Sequence, residues 1–166
     1  MKSFEKTVIG EPEQWLVEAA AEIGLNFAGL AHEVTDNFVT HCKKQHGDTK
    51  LEKARGQLPI VSADIERIPD IVKSPDCVII GIKKYGQMFN AYLKNLKKGA
   101  NGAVIYYEEV LNSKKNKALR SKTMYKKMGT VSDEIFVKIV SNNANTDISG
   151  TKMVVGAGGN PGGEAD

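Results

Sequence analysis

The chain of 166 residues is long enough for one domain of ordinary size with an extra segment, and too short for two complete hydrophobic cores. Its composition, 41% hydrophobic and 26% charged, is typical of a soluble globular protein and excludes a disordered chain. No apolar run reaches the roughly 18 residues of a spanning helix, and the first residues lack the apolar stretch of a secretory signal. We therefore expect no membrane-spanning segment.

Charge is distributed unevenly along the chain. Between Lys83 and Lys127 lie twelve Lys or Arg residues and two acids, a net charge of +10, whereas the remaining residues carry −7. Such a segment attracts polyanions, because Lys and Arg contacts to phosphates release condensed counterions. The alternative is a solvated lysine-rich face without a partner. We favour nucleic acid as the partner.

Two amphipathic helices are predicted in the first third of the chain. The first covers residues 12–23, in which apolar residues recur at helical spacing and a glycine follows the last one. The second covers about residues 31–46, because Val34, Phe38 and Cys42 recur every four residues.

After two short helical turns predicted over residues 62–73, the apolar pattern changes to that of strands. Four segments are rich in β-branched and aromatic residues and are separated by Gly, Asn and Lys clusters. They are residues 77–85, 87–96, 102–111 and 117–127. Their short connections predict an antiparallel meander, since parallel pairing needs long crossovers. Residues 133–141 fit either a last helix or a fifth strand.

The C-terminal residues are predicted to form a loop and a flexible tail from Ser141 onward. The run GAGGNPGG lacks the Gly-Lys-Ser/Thr of a phosphate-binding loop, so we expect no nucleotide cofactor there. Cys42 and Cys77 are too few for a disulfide framework, and no Cys-x-x-Cys is present. We expect two ordinary thiols.

The stretch HCKKQHGD contains two histidines five residues apart, His41 and His46. Helix residues four apart share a face, whereas residues five apart are turned by about 140°. No metal site is therefore predicted. Each histidine also has an ordinary interpretation: His32 and His41 as residues in or beside the core, and His46 as a cation near the C-terminal end of a helix.

A catalytic role for the histidines is an alternative to these interpretations when they are considered together with other residues of the chain. A ribonuclease that uses no metal must deprotonate a 2′-hydroxyl, protonate the leaving 5′-oxygen and stabilise negative charge on the phosphate. Histidine, arginine, lysine and a hydroxyl supply these functions. In KALRSKTMYKK, strand alternation places Thr123 and Tyr125 on one face, and Arg120, Lys122 and Lys126 on the other. Lys122 is then expected to reach a cleft only from its rim or through a twist of the strand.

Three stretches in this order resemble a known family: HCKKQHGD, ARGQLPIVSADIERIPDIVKSPDCV and LRSKTMYKK. They are similar to the phage-type branch of the barnase, EndoU, colicin and RelE-like (BECR) nucleases, over about residues 30–127. Thr40 stands where many relatives have arginine, which leaves open whether Lys43 or Lys44 replaces that group.

The resemblance implies an α+β fold with N-terminal helices packed on a four-stranded antiparallel β-sheet. The implied organisation is an N-terminal helical segment over residues 1–30, a BECR-like nuclease domain over 31–140 and a flexible tail over 141–166. The catalytic residues carried over are His41, His46, Arg55, Thr123 and Tyr125. The expected substrate-binding residues are Lys43, Lys83, Arg120, Lys122 and Lys126.

The function implied is metal-independent RNA cleavage by 2′-hydroxyl attack, which leaves a 2′,3′-cyclic phosphate, with tRNA as the preferred substrate and no cofactor. The resemblance also implies a monomeric bacterial toxin, delivered as the C-terminal part of a larger secreted protein. It would act in the cytoplasm of the target cell and be neutralised by an acidic immunity protein. The alternatives are a non-catalytic nucleic-acid-binding module and a phage structural or packaging accessory protein.

Overall fold

The structure is a computed structural model that describes residues 6–45, 57–97, 102–112 and 117–156. Within these ranges the fold is α+β, with eight strands in one open, mixed sheet. The strands are β1 (Lys6–Gly10), β2 (His32–Thr35), β3 (Cys77–Lys84), β4 (Gln87–Lys97), β5 (Ala103–Asn112), β6 (Ala118–Met128), β7 (Thr146–Asp147) and β8 (Lys152–Val155). The helices are α1 (Gln14–Ala21), α2 (Asp36–Gln45), α3 (Ser62–Glu66), α4 (Ile68–Lys73) and α5 (Asp133–Ser141).

The predicted meander is confirmed, because β3, β4, β5 and β6 pair antiparallel in sequence order. The prediction of a sheet with only four strands is wrong. The sheet order is β1-β2-β6-β5-β4-β3-β7, and β8 also pairs with β3. The strand β2 is parallel to β6, whereas β1, β7 and β8 make antiparallel pairs. The additional strands have two to five residues, too few for their alternation to stand out in the sequence.

The predicted helix over residues 31–46 is a strand followed by a helix. Its first residues form β2, and α2 begins at Asp36 because Thr35 caps it: the Thr35 hydroxyl accepts a hydrogen bond from the Phe38 amide at 3.1 Å. Residues 133–141 form a helix, capped in the same way by Ser132. The loop expected after Ser141 instead includes β7 and β8.

Hydrophobic residues cover both faces of the sheet. On one face, buried residues of α1, α2 and α4 pack against the central strands, as Phe38 does against Tyr107. On the other face, Phe136 and Val140 of α5 pack with residues of β3, β4 and β5. Burial of each such large side chain stabilises the fold by roughly 1.5–3 kcal/mol. None of the helices in the described ranges is long and apolar enough to cross a membrane.

Both cysteines are free thiols inside the protein. Burial raises the pKa of Cys42 to about 12. Burial, followed by the charges of Asp133 and Asp76, raises the pKa of Cys77 to about 12. Both side chains therefore remain protonated thiols at neutral pH.

Ion pairs neutralise part of the basic segment between Lys83 and Lys127. Among its described residues, four cations lie within 4 Å of a carboxylate: Lys84 at 2.9 Å from Glu108, Lys94 at 3.6 Å from Asp70, Arg120 at 3.0 Å from Glu33, and Lys126 at 2.7 Å from Asp64. Three of the four acids come from outside the segment. Part of the excess charge of the described residues in this segment is therefore offset by ion pairs.

Candidate active site

A cleft of about 440 Å³ opens where β2 gives way to α2, beside β6. The parallel pairing of β2 with β6 extends only from His32–Leu119 to Glu33–Arg120. Beyond it the chain turns into α2, which packs against β6. The helix side of the cleft consists of Thr35, Asn37, Phe38 and His41, and the sheet side of Glu108, Ser121, Lys122 and Thr123.

The helix wall is anchored to the sheet by its first turn. Phe38 is buried and makes an edge contact with Tyr107, with ring centroids 6.0 Å apart. The hydroxyl of Ser121 accepts a hydrogen bond from the Thr35 amide at 3.3 Å, which ties the start of α2 to β6. His41 lies one turn after Phe38 on the exposed edge of this helix, and its side chain forms part of the cleft wall.

A β-bulge shapes the sheet wall. Ser121 pairs with Glu109 and Thr123 pairs with Glu108, so Lys122 is an extra residue without a partner in β5. Bulges interrupt strand alternation and redirect side chains. The exposed Lys122 consequently lines the cleft together with Ser121 and Thr123. Strict alternation predicts Lys122 on the opposite face, from which it reaches the cleft only at the rim or through a twist; the bulge supplies such a local change of direction.

Glu108 forms a buried carboxylate at the base of the cleft and is only 2% exposed. It accepts hydrogen bonds from the Lys84 ammonium at 2.9 and 3.0 Å and from the Tyr106 hydroxyl at 2.9 Å. Lys84 thus offsets the negative charge of Glu108 beneath the cleft. These three hydrogen bonds hold the Glu108 carboxylate in place at the floor of the cleft.

Tyr125 lies on the same face of β6 as Thr123, but outside the set of residues that line the cleft. Its ring stacks on Tyr106, with centroids 4.6 Å apart and planes inclined by 14°. Burial, followed by the charge of Glu108, raises the pKa of Tyr125 to about 12. The phenol therefore keeps its proton near neutral pH and is suited to donating a hydrogen bond rather than to accepting a proton.

The other predicted substrate-binding cations lie in different surroundings. The Arg120 Nε donates to Glu33 at 3.0 Å, and its side chain lines a separate cavity of about 490 Å³. Lys126 donates to Asp64 and is 15% exposed. Lys83 is exposed on β3, three strands away from β6. The structure therefore brings Lys122 into the cleft but not Lys83 or Lys126.

Two predicted catalytic residues, His46 and Arg55, lie outside the described residues, as does the side chain of Lys43. The backbone of Lys43 belongs to α2. Among the part of the chain that the structure describes, no three His, Cys, Asp or Glu side chains are grouped so that they could hold a metal ion.

Sequence reasoning missed several residues that line the cleft. They are Thr35, Asn37, Phe38, Glu108 and Ser121. The Thr-Asp-Asn run was an available indication of a helix start, because threonine is favoured at the position that caps a helix. Nothing in the sequence indicated that Glu108 lies beneath the cleft.

The groups that line the cleft are suited to binding a phosphate ester and to transferring a proton to or from it. The cleft lies beside the first turn of α2, at the positive end of the helix dipole, although Asp36 in that turn opposes an anion. Lys122 adds a cation, Ser121 and Thr123 add hydroxyls, and His41 adds an imidazole. Together these groups can hold an oxyanion and exchange a proton with it.

Comparison with known proteins gives one family. A family model described as phage-Barnase-EndoU-ColicinE5/D-RelE like nuclease 3 matches residues 11–134, which include the whole cleft. No curated protein and no solved structure matches the chain.

Proposed function

The chain belongs to the phage-Barnase-EndoU-ColicinE5/D-RelE like nucleases, and we propose that it is an endoribonuclease whose active site is the cleft between α2 and β6. The observation that carries this proposal is the meeting of His41, Lys122 and Thr123 around one cleft. They supply a group that transfers protons, a cation and a hydroxyl donor, which 2′-hydroxyl attack on a phosphodiester requires.

In the proposed reaction, the 2′-oxygen attacks the adjacent phosphorus, and the bond to the 5′-oxygen of the next nucleotide breaks. His41 takes the 2′-hydroxyl proton or protonates the leaving 5′-oxygen, because histidine exchanges protons most readily near neutral pH. Lys122 stabilises the additional negative charge on the phosphorane. The products are a 2′,3′-cyclic phosphate and a 5′-hydroxyl.

Two further residues are proposed on the family motif rather than on described geometry. His46 is the partner of His41 in proton transfer, so that one acts as the base and the other as the acid. Arg55 is a second cation beside the phosphate. Thr123 positions a phosphate oxygen through its hydroxyl, and Tyr125 supports that strand or donates a hydrogen bond to a longer substrate.

The proposed substrate is tRNA, a folded polyanion with exposed single-stranded parts that proteins recognise by shape and by unstacked bases. We propose that the protein is a monomeric toxin acting in the cytoplasm of a target bacterium, delivered as the C-terminal part of a larger secreted protein. Its immunity protein would present acidic groups to the cleft and associate rapidly at low salt.

The test is incubation of the purified chain with total cellular RNA, and with DNA of matched sequence, in the presence of EDTA. We expect RNA fragments that end in a 2′,3′-cyclic phosphate, and uncut DNA. RNA that remains intact with an equimolar amount of protein would refute the proposal. Salt-sensitive RNA binding without cleavage would favour the non-catalytic module instead.

A further inference from the structure

The cavity of about 490 Å³ that Arg120 lines lies at the end of the sheet where β4 begins, β5 ends and β6 begins. Its walls include Gln87 and Met88 from β4 and Val110 and Leu111 from β5. The strands β5 and β6 also form the sheet side of the nuclease cleft. The cavity and the cleft therefore lie along the same pair of strands.

The cavity begins where the cleft ends. Ser121 of the cleft pairs with Glu109, and the next pair along the strands, Arg120 with Val110, belongs to the cavity. Arg120 and Lys122 are two residues apart, which corresponds to roughly 7 Å along a strand. An RNA strand whose phosphate lies beside Lys122 therefore has a neighbouring nucleotide within reach of the cavity.

Arg120 is held in place by an ion pair with Glu33. Its Nε lies 3.0 Å from Oε1 of Glu33, whose side chain is 7% exposed. Arg120 is the only charged side chain among the described residues that line the cavity, and Glu33 offsets its charge. Such a site favours an uncharged group over a phosphate. A guanidinium group with a fixed plane is also suited to stacking against a flat ring.

The other walls of the cavity provide apolar surface and a side-chain amide. Met88, Val110 and Leu111 are half-buried, and Gln87 is exposed to a ligand. The amide of glutamine has a donor and an acceptor side by side, which match the ring nitrogen and the amino group of adenine. Guanine has two acceptors on the same edge and requires two donors. The cavity therefore fits adenine better than guanine.

The hairpin between β3 and β4 fixes the backbone of Gln87. Lys84 pairs with Gln87, and only Tyr85 and Gly86 lie between them. These two residues have φ values of +52° and +72°, as in the two-residue turns that suit the twist of a hairpin. Gly86 also lines the cavity, and a Cβ there would meet no atom within 4 Å. The amide of Gln87 thus extends from a defined backbone beside open space.

Given the ribonuclease function proposed for the cleft, we infer that this cavity binds an adenine base of the RNA substrate, next to the nucleotide whose phosphate is attacked. The base stacks on the guanidinium plane of Arg120. The amide of Gln87 donates to a ring nitrogen of the base and accepts a hydrogen bond from its amino group. The result is a preference for adenine beside the point of cleavage.

The test uses oligonucleotides in which one ribonucleotide fixes the point of cleavage and the neighbouring deoxynucleotides are either thymidine or a single deoxyadenosine. We expect adenine on one side to raise kcat/KM about tenfold over thymine, the selectivity of a good bidentate base contact. Gln87→Ala should lose this preference and cleave the adenine-free oligonucleotide at the wild-type rate. The matched control is Gln14→Ala, at an exposed position on α1, which should retain the preference.

Binding is measured separately by fluorescence anisotropy, with deoxyoligonucleotides that lack the attacking 2′-hydroxyl. The wild type should bind oligothymidylate about tenfold more tightly when it contains one adenine, and Gln87→Ala should not. RNA cleavage that is equally fast beside every base, with equal binding, would overturn the adenine site and leave the proposed function intact. An adenine preference that Gln87→Ala retains would also overturn it. Adenine-dependent binding that Gln87→Ala abolishes, without cleavage of any RNA, would support the adenine site and overturn the proposed function.

Discussion

Replacement of Lys126 by methionine should lower the stability of the fold and leave RNA cleavage at the cleft nearly unchanged. Lys126 lies 2.7 Å from Asp64, and the two side chains are 15% and 4% exposed. The same carboxylate oxygen of Asp64 accepts a hydrogen bond from the Val61 amide at the start of α3. Loss of the ammonium leaves this carboxylate buried without a cation, which is the costly way to break a buried ion pair.

Lys126→Met should lower the free energy of unfolding by about 3 kcal/mol. This is the lower end of the range for removing one partner of a buried ion pair, because Lys126 retains some contact with water. For a chain of this size, each kcal/mol lowers Tm by roughly 2–4 °C, so the expected decrease is roughly 6–12 °C. Urea and thermal unfolding measure it. RNA cleavage by the fraction that remains folded should change little.

The matched control lies four residues earlier on the same strand. Lys122 is exposed at the bulge, so Lys122→Met should change stability by less than about 0.5 kcal/mol. The same substitution should strongly reduce RNA cleavage. A Lys126→Met variant with wild-type stability and lost RNA binding would refute this assignment, and would return Lys126 to the substrate-binding residues.

Three further predictions concern single sites. His41→Ala should lower single-turnover RNA cleavage roughly 10²- to 10⁴-fold while unfolding in urea is nearly unchanged, and a normal rate would remove His41 from the mechanism. Gly81→Ala should destabilise the fold by about 1–2 kcal/mol in urea unfolding, because Gly81 has a φ of +86° and its Cβ would lie 2.8 Å from Cδ1 of Ile23. Burial raises the pKa of Cys42 from 9.0 to about 12. The contribution of this buried thiol to the free energy of unfolding is therefore fully present below pH 9 and is lost as the pH rises toward 12. Iodoacetamide should therefore modify Cys42 at pH 8 only upon unfolding, and rapid alkylation of the native chain would contradict its burial.

The central meander could be predicted from the sequence because each of its strands has eight to eleven residues and short connections. The strand β2 could not, since its four residues merge with the helical spacing of Val34, Phe38 and Cys42. That error moved the expected helix start back to residue 31. As a result, Thr35 was not recognised as the residue that caps α2, and the first turn of α2 was not recognised as one end of the cleft.

Some residues of the candidate cleft could be named from the sequence, but the geometry of the cleft could not. The resemblance supplied His41 and Thr123, both of which line the cleft. The position of Lys122 depends on a bulge, which local alternation does not reveal. The pairing of Lys126 with Asp64 joins residues far apart in the chain, so a count of charges along the sequence could not identify it.

The most direct test of the central claim is the rate of RNA cleavage in EDTA by the wild type and by Lys122→Met and His41→Ala, each verified as folded by its urea unfolding curve. The account predicts cleavage by the wild type with cyclic phosphate ends, and a large loss in both variants. Wild-type cleavage rates in both folded variants would show that the cleft between α2 and β6 is not the active site.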